Sequence, residues 1–182
     1  ASAYFRLNQF DKSIEASQQL IDVAVESEDI ANALFVQGNS HFRGGDMATA
    51  IQTYQSIVER YPQMGWARNA QFQIGIAYNK MASGNISYLP KVATEFEKYY
   101  DSYPDDERAV YAYYYAAFAY YRLGKWRNAS DTFEALAGNF PQSEFAPQAL
   151  FRAGESVFNL AQGNTRAGKK EIFEEALAKY EQ

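Results

Sequence analysis

The stretches that decide the fold are Arg60-Tyr61-Pro62, Ser102-Tyr103-Pro104 and Asn139-Phe140-Pro141. Each ends an amphipathic segment, because proline has no amide hydrogen to donate and its ring clashes with a continuing helix. An alanine-rich amphipathic segment begins soon after each proline. Such stops at intervals of about 40 residues are typical of a stacked array of helical repeats.

The segments between the stops have the period of an α-helix. Leu34, Gly38 and His41 follow one another at spacings of four and three residues, which places them on one helix face. The same spacing recurs in three later segments: Gln71, Gly75, Tyr78; Tyr113, Ala117, Tyr120; and Leu150, Gly154, Val157. Glycine inside a helix costs roughly 1 kcal/mol relative to alanine. Its recurrence in the middle of this pattern therefore predicts close helix packing.

Each unit is predicted to be a pair of helices. Small residues in the second helix of each pair mark the register of five units. The spacing is 37 residues from Ser13 to Ala50 and again from Val92 to Ala129. We expect a single array with units at about 1–28, 29–65, 66–105, 106–143 and 144–182, and an insertion at 81–88. The first and last units lack the polar capping elements of complete arrays. The sequence thus predicts that the parent protein is longer.

The combined pattern resembles the tetratricopeptide repeat (TPR) family. Two units carry the resemblance at eight matching positions: Leu34, Gly38, His41, Gly45, Ala50, Tyr54, Ile57 and Pro62; and Tyr113, Ala117, Tyr120, Gly124, Ala129, Phe133, Leu136 and Pro141. The resemblance implies an all-α, right-handed superhelical solenoid of about five antiparallel helix pairs. It also implies that the first helix of each pair lines a concave, protein-binding surface.

A narrower resemblance concerns the linker at 140–149. It is similar to the long linkers between repeats in bacterial envelope TPR proteins, namely the BamD-type outer-membrane assembly lipoproteins and the Tol–Pal accessory proteins. This resemblance implies a location in the bacterial periplasm or cell envelope. A cytoplasmic location stays open at this point.

Composition argues against several classes of function. The 182 residues carry a net charge of −5, which opposes binding to nucleic acid or to anionic membranes. No stretch has the roughly 20 apolar residues needed to span a bilayer. The chain has no cysteine and a single histidine, His41, which falls on the core face. We therefore expect no metal site, no cofactor and no enzymatic activity, although a catalytic domain outside these residues is an alternative.

The outward face of each first helix supplies the candidate binding residues. Helical period places aromatic, amide and basic side chains there. The predicted peptide-binding residues are Asn32, Phe35, Asn39, Phe42, Arg43, Asn69, Phe72, Lys80, Tyr111, Tyr114, Phe118, Tyr121, Arg122 and Phe151. One column among them is aromatic (Phe35, Phe72, Tyr114, Phe151), and another, which begins at Arg6, is basic (Arg43, Lys80, Arg122). Residues 31–43, 67–82 and 108–123 contain no Asp or Glu.

Each column has a structural alternative. The aromatic side chains could pack between adjacent units, although the run Tyr111-Ala112-Tyr113-Tyr114-Tyr115 has more rings than one packing stripe needs. The basic side chains could serve only to complement the helix dipole at helix C-termini. A clamp for a terminal carboxylate, as some TPR proteins have, is disfavoured because Phe35 and Phe72 occupy positions where it needs polar side chains.

The sequence thus predicts a scaffold that binds a peptide segment or helix of another protein in an aromatic and basic groove. The alternative is a structural or assembly subunit of an envelope complex, with contacts through its edges or its convex face.

Overall fold

The computed structural model describes residues 1–163 and, beyond them, Ile172, Glu174 and Leu177. Helices and turns make up these residues, and no strand occurs among them. The chain divides into two compact units, Ala1–Asn85 and Ile86–Gln182.

The first unit consists of consecutive helices, each packed against the next. They are α1 (Ser2–Arg6), α2 (Phe10–Val23), α3 (Ser27–Gly44), α4 (Met47–Arg60) and α5 (Gly65–Gly84). In addition, α5 contacts α3 directly, so the two long helices of this unit lie side by side.

The second unit repeats this arrangement in its described part. A short 3-10 helix (Ile86–Tyr88) leads into α6 (Leu89–Ser102), which is followed by α7 (Ala109–Arg122), α8 (Trp126–Asn139) and α9 (Ala146–Gln162). Here α6 packs on α7, α7 on α8, and α8 on α9.

Left-handed residues end α1, α3 and α7 in the same way. Asn8, Gly45 and Gly124 have φ values of 56°, 95° and 69°. In each turn the next residue donates its backbone N–H to a carbonyl five residues earlier, as from Asp46 to His41 at 2.9 Å and from Lys125 to Tyr120 at 3.0 Å. This is the hydrogen-bond pattern of the Schellman motif, which explains the glycines that the sequence places here.

The aromatic-proline stops also share one geometry. Tyr61, Tyr103 and Phe140 cap the ends of α4, α6 and α8 with nearly equal backbone angles. Each of their carbonyls accepts a hydrogen bond from the amide three residues later, at 2.9 to 3.1 Å. The next first helix starts directly afterwards, and a buried alanine (Ala67, Ala109 or Ala146) fixes its first turn. The linkers therefore set a repeated spacing between helix pairs.

Small residues let the helices approach closely in the core. In the first unit, buried Ala50, Tyr54, Ile57 and Ile74 pack together between α3, α4 and α5. Ser13 and Ser40 bring α2 and α3 together through a buried hydrogen bond of 2.9 Å between their hydroxyls. Among the described residues of the second unit, the largest fully buried side chains are Tyr99, Phe96, Phe133, Leu89, Leu136, Val92 and Val157.

The sequence predicted an all-α fold, which the described residues confirm. The helical period of the sequence predicts helices at 29–43, 46–60, 66–82, 88–102, 106–123, 126–138 and 144–161, and these match α3 to α9 within a few residues. A further expected helix at 167–181 lies outside the described residues, apart from three positions. The division into five units stays a prediction.

Candidate protein-binding surface

Eight of the predicted binding residues lie on α3 and α5 of the first unit. A direct contact joins the two helices there: Nζ of Lys80 lies 4.9 Å from the centroid of the Phe42 ring. This distance is within the range of a cation–π interaction. We call this surface the α3–α5 face and define it by Asn32, Asn39, Phe42, Arg43, Asn69, Phe72 and Lys80.

The cations of the α3–α5 face are open to solvent, and its amides are half-buried. Arg43 and Lys80 are exposed, whereas Asn32 and Asn69 are partly covered. Oδ1 of Asn39 accepts a hydrogen bond of 2.7 Å from the Tyr54 hydroxyl. Burial raises the pKa of Tyr54, which keeps this hydroxyl protonated and able to donate. The Asn39 carbonyl oxygen is therefore engaged with the core, which leaves its NH2 group as the part available to a ligand.

Phe35, the first residue of the aromatic column, has a packing role. Its ring centroid lies 5.8 Å from that of Tyr54 and 5.3 Å from that of Trp66. Trp66 is held in turn by a hydrogen bond of 2.6 Å from its Nε1 to Oε1 of Glu28. Phe35 thus fills the junction of α3, α4 and α5, as the structural alternative for this column requires.

The second unit presents two exposed aromatic side chains from the predicted set. Tyr111 is 42% exposed and Phe151 is 52% exposed. Tyr114 is half-buried behind them, with its ring centroid 4.7 Å from that of Phe118 and 5.1 Å from that of Phe145. The tyrosine-rich run of α7 therefore divides between packing and surface. We call the surface formed by Tyr111, Arg122 and Phe151 the α7–α9 face.

Phe118 and Tyr121 are covered by an arginine that the sequence pattern did not single out. The guanidinium of Arg152 on α9 lies 5.7 Å from the Phe118 ring centroid and 5.6 Å from that of Tyr121. Nη1 of Arg152 also lies 2.6 Å from Oε2 of Glu155. These contacts join α7 to α9. No other unit has a basic residue at the corresponding position of the sequence, so the periodic pattern gave no signal for Arg152.

The positive side chains of the two faces lie in helix segments that lack carboxylates. Arg122 is exposed in the last turn of α7, a helix without carboxylates. Carboxylates on α6 are engaged by neighbouring groups instead: Glu95 pairs with Lys98 on the same helix at 2.9 Å, and Glu97 accepts a hydrogen bond of 2.5 Å from Tyr120 on α7. Burial, together with Glu97, raises the pKa of Tyr120, so its hydroxyl stays a donor. The segments of α3, α5 and α7 that lack carboxylates thus carry positive charge.

The described residues hold no group of His, Asp or Glu side chains arranged to bind a metal ion. His41 is half-buried, with Nδ1 3.6 Å from Oδ2 of Asp46. None of the described helices is long and apolar enough to cross a membrane.

A family model for an outer membrane lipoprotein matches residues 27–167. The chain belongs to this family, YfiO. The match spans most of the sequence and includes every predicted binding residue. It confirms the resemblance to the envelope type of TPR protein, of which the BamD-like proteins are an example. No curated protein sequence matches the chain.

Several solved structures share the fold. The Podosopora anserina protein assigned as a kinesin light chain, with nearly identical TPR-like repeats, superposes with a TM-score of 0.62 at 13% identity, over 98% of this chain and 90% of that chain. A variant of the same protein gives the same TM-score at 14% identity over the same shares. MamA (MSR-1 C2) gives 0.50 at 15% identity, over 98% of this chain and 92% of that chain. At these identities the likeness supports the fold alone, which is a TPR-like helical repeat.

Membership of YfiO and the TPR-like fold agree with the main functional expectations. The family is one of outer membrane lipoproteins, which agrees with the expected location in the cell envelope, and a TPR-like fold fits the expected scaffold for protein interaction.

Proposed function

We propose that this YfiO-family protein is a non-catalytic scaffold of the periplasmic side of the envelope that binds a peptide segment or helix of another protein along its first helices. The observation that carries the proposal is the composition of the α3–α5 face. Exposed Arg43 and the Lys80–Phe42 pair lie together there, and neither helix carries a carboxylate in the segments that form the face. Aromatic side chains and arginine dominate the energetics of protein recognition, and asparagine can both donate to and accept from the backbone of an extended peptide.

The α7–α9 face supplies the apolar contribution in this proposal. Exposed Tyr111 and Phe151 would bury their rings against the partner, while Arg122 adds positive charge at the end of α7. Aromatic anchors supply large contact area for little loss of conformational entropy. The partner segment would therefore combine apolar side chains with carboxylates.

Crosslinking tests which helices the partner contacts. A photoreactive residue would replace Asn32, Asn69 or Phe151 on first helices, and exposed Gln52, Gln55 or Thr94 on second helices as matched controls. Crosslinks to one protein from the first-helix positions are expected in envelope preparations, with none from the controls. Crosslinks confined to the control positions would refute binding along the first helices.

Charge reversal then tests the basic column with the purified crosslinked partner. Arg43→Glu, Lys80→Glu and Arg122→Glu together should weaken binding by at least about tenfold and reduce its salt dependence. The melting temperature should fall by less than about 5 °C, because the changed side chains are exposed and the Lys80–Phe42 contact that is lost contributes only about 0.5–1 kcal/mol. If the triple variant binds as tightly as the wild type, the basic column has no part in recognition.

The second candidate is an assembly subunit that contacts neighbours through second helices or edges. Exposed apolar side chains on and after α2 favour it: Leu20 is 39%, Val23 75% and Val25 89% exposed. The same crosslinking experiment distinguishes this candidate, since it predicts crosslinks from second-helix positions.

A further inference from the structure

A pocket of about 520 Å³ opens beside the N-terminal ends of α7 and α9, away from the basic column. One wall is aromatic: the rings of Tyr111 and Phe145 meet edge to face, with centroids 5.4 Å apart and planes at 73°. Glu107 and Glu144 are among the residues that line it. The volume is within the range of pockets that hold a small ligand or a side chain.

The pocket has a net negative charge, because the cation among its lining residues is already paired. Nε of Arg108 lies 2.9 Å from Oδ1 of Asp106, and Nη2 lies 3.1 Å from Oδ2. This two-point ion pair directs the guanidinium toward Asp106. Glu107 and Glu144 are exposed, and neither forms an ion pair or side-chain hydrogen bond within the described part of the chain. Glu107 is close enough to Arg108 to attract it electrostatically, but the two side chains do not form an ion pair. Two negative charges are thus left for a ligand.

The aromatic wall is preorganised. Tyr114 packs behind Phe145, with ring centroids 5.1 Å apart. The backbone N–H of Phe145 donates to Oγ of Ser143 at 3.1 Å, which fixes the turn before α9. Tyr111, by contrast, stays 42% exposed, so part of its side chain is accessible to a ligand. A ligand would therefore find an aromatic side chain already held in place, with little loss of side-chain entropy.

We propose that this pocket binds an arginine side chain of a partner protein. A guanidinium can stack on the exposed ring while it donates hydrogen bonds to the two carboxylates, whereas an ammonium is a compact and strongly hydrated charge without a flat face. The proposal goes beyond the function proposed above, because that function requires acidic groups in the partner and this pocket requires a basic one. Together they describe a partner segment that carries both signs of charge.

A titration followed by NMR tests the pocket in the intact chain. The ligand is a capped Gly-Gly-Arg-Gly-Gly peptide, and the controls replace arginine by citrulline, which has nearly the same shape without the charge, or by lysine. The arginine peptide should shift the amide signals of Tyr111 and Phe145 in a saturable manner. The citrulline peptide should leave them unchanged, and the lysine peptide should bind at least about threefold more weakly.

Substitutions test whether the carboxylates of Glu107 and Glu144 bind the arginine side chain. Glu107→Gln with Glu144→Gln should weaken binding of the arginine peptide by at least about fivefold. The matched control Glu26→Gln with Glu59→Gln, which removes the same charge elsewhere, should bind as the wild type does. Equal binding of the citrulline or lysine peptide, or unchanged binding by the Glu107/Glu144 variant, would overturn the proposal. The triple charge-reversal variant should bind the arginine peptide normally, so a failure of either proposal is distinguishable from a failure of the other.

Discussion

Gly38 of α3 lies directly against the ring of Tyr54 on α4. A β-carbon at Gly38 would be 2.6 Å from Cε1 of that ring, which is closer than any real contact. The ring cannot easily move away, because Tyr54 is fully buried and its hydroxyl is bonded to Asn39 at 2.7 Å. The glycine that the TPR pattern places here is therefore required by contact between the paired helices.

Gly38→Ala should destabilise the first unit. Alanine gains up to about 1 kcal/mol of helix propensity over glycine, but overpacking a buried ring typically costs about 1–3 kcal/mol. Because the cost exceeds the gain over most of these ranges, we expect a net loss of up to about 2–3 kcal/mol. Trp66 lies in this unit and Trp126 in the other, so tryptophan fluorescence of a Trp126→Phe background during urea unfolding reports the change locally.

Gly138→Ala is the matched control for that prediction. Gly138 lies in α8, and a β-carbon added at this position would have no neighbouring atom within 4 Å. The same substitution should therefore leave stability unchanged or raise it by up to about 1 kcal/mol. If both alanine variants change stability in the same direction, the contact with Tyr54 is not what requires glycine at position 38.

Asp106 should make stability depend on pH. Hydrogen bonds from the Arg108 side chain, opposed in part by burial, hold the pKa of the Asp106 carboxyl well below its usual value. A lowered pKa in the folded state means that the contribution is present at neutral pH and is lost as the pH falls below about 5. Asp106→Asn should cost about 1–2 kcal/mol at pH 7, and the difference from wild type should shrink steadily toward about pH 3.

Urea unfolding at several pH values measures this difference. The control is Asp105→Asn, at an exposed neighbouring carboxyl, which should change stability by less than about 0.5 kcal/mol at any pH. A destabilisation by Asp106→Asn that is the same at neutral pH and at about pH 3.5 would show that the ionised carboxylate does not supply the stability.

Particular residues show how far the sequence determined the structure. The stops at Pro62, Pro104 and Pro141 and the turns at Gly45 and Gly124 follow from backbone constraints, which are local and therefore readable from sequence. The packing role of Phe35 could not be read, because a helical period places a ring on a face without saying whether another helix covers it. Whether it is covered depends on Trp66, which comes from the start of the next first helix.

The clusters that the sequence pattern missed have the same physical origin. Arg152 and Phe145 act across helices, and the pocket beside Tyr111 joins two linkers that are far apart in sequence. Arg152 has no basic counterpart in the other units, so no column marked it. Phe145 stands where Trp66 stands in an earlier unit, directly before a buried alanine, and each ring packs on the aromatic column: the centroids of Phe145 and Tyr114 are 5.1 Å apart, and those of Trp66 and Phe35 are 5.3 Å apart. Nonperiodic residues at such junctions are determined by tertiary packing rather than by local pattern.

Arg152 should contribute to stability through its aromatic contacts as well as its charge. Arg152→Met keeps much of the apolar stem but removes the cation that lies over Phe118 and Tyr121. A loss of about 0.5–2 kcal/mol is expected, measured by urea unfolding with Trp126 as the reporter in a Trp66→Phe background. Arg43→Met, at an exposed position, is the control and should change stability by less than about 0.5 kcal/mol. Equal effects at the two positions would argue against the stacked arrangement.

The aromatic side chains should separate into a packing group and a recognition group. Phe35→Ala removes a ring held between Tyr54 and Trp66, so it should cost about 2 kcal/mol or more. Tyr111→Ala and Phe151→Ala truncate rings that are 42% and 52% exposed, so each should cost less than about 1 kcal/mol. Thermal unfolding measures both effects.

The double variant Tyr111→Ala, Phe151→Ala should nevertheless lose the crosslink formed from Asn69, because the partner loses its apolar anchors. A double variant that unfolds at a much lower temperature would place these rings in the packing group, and one that keeps the crosslink at full yield would remove them from the binding surface.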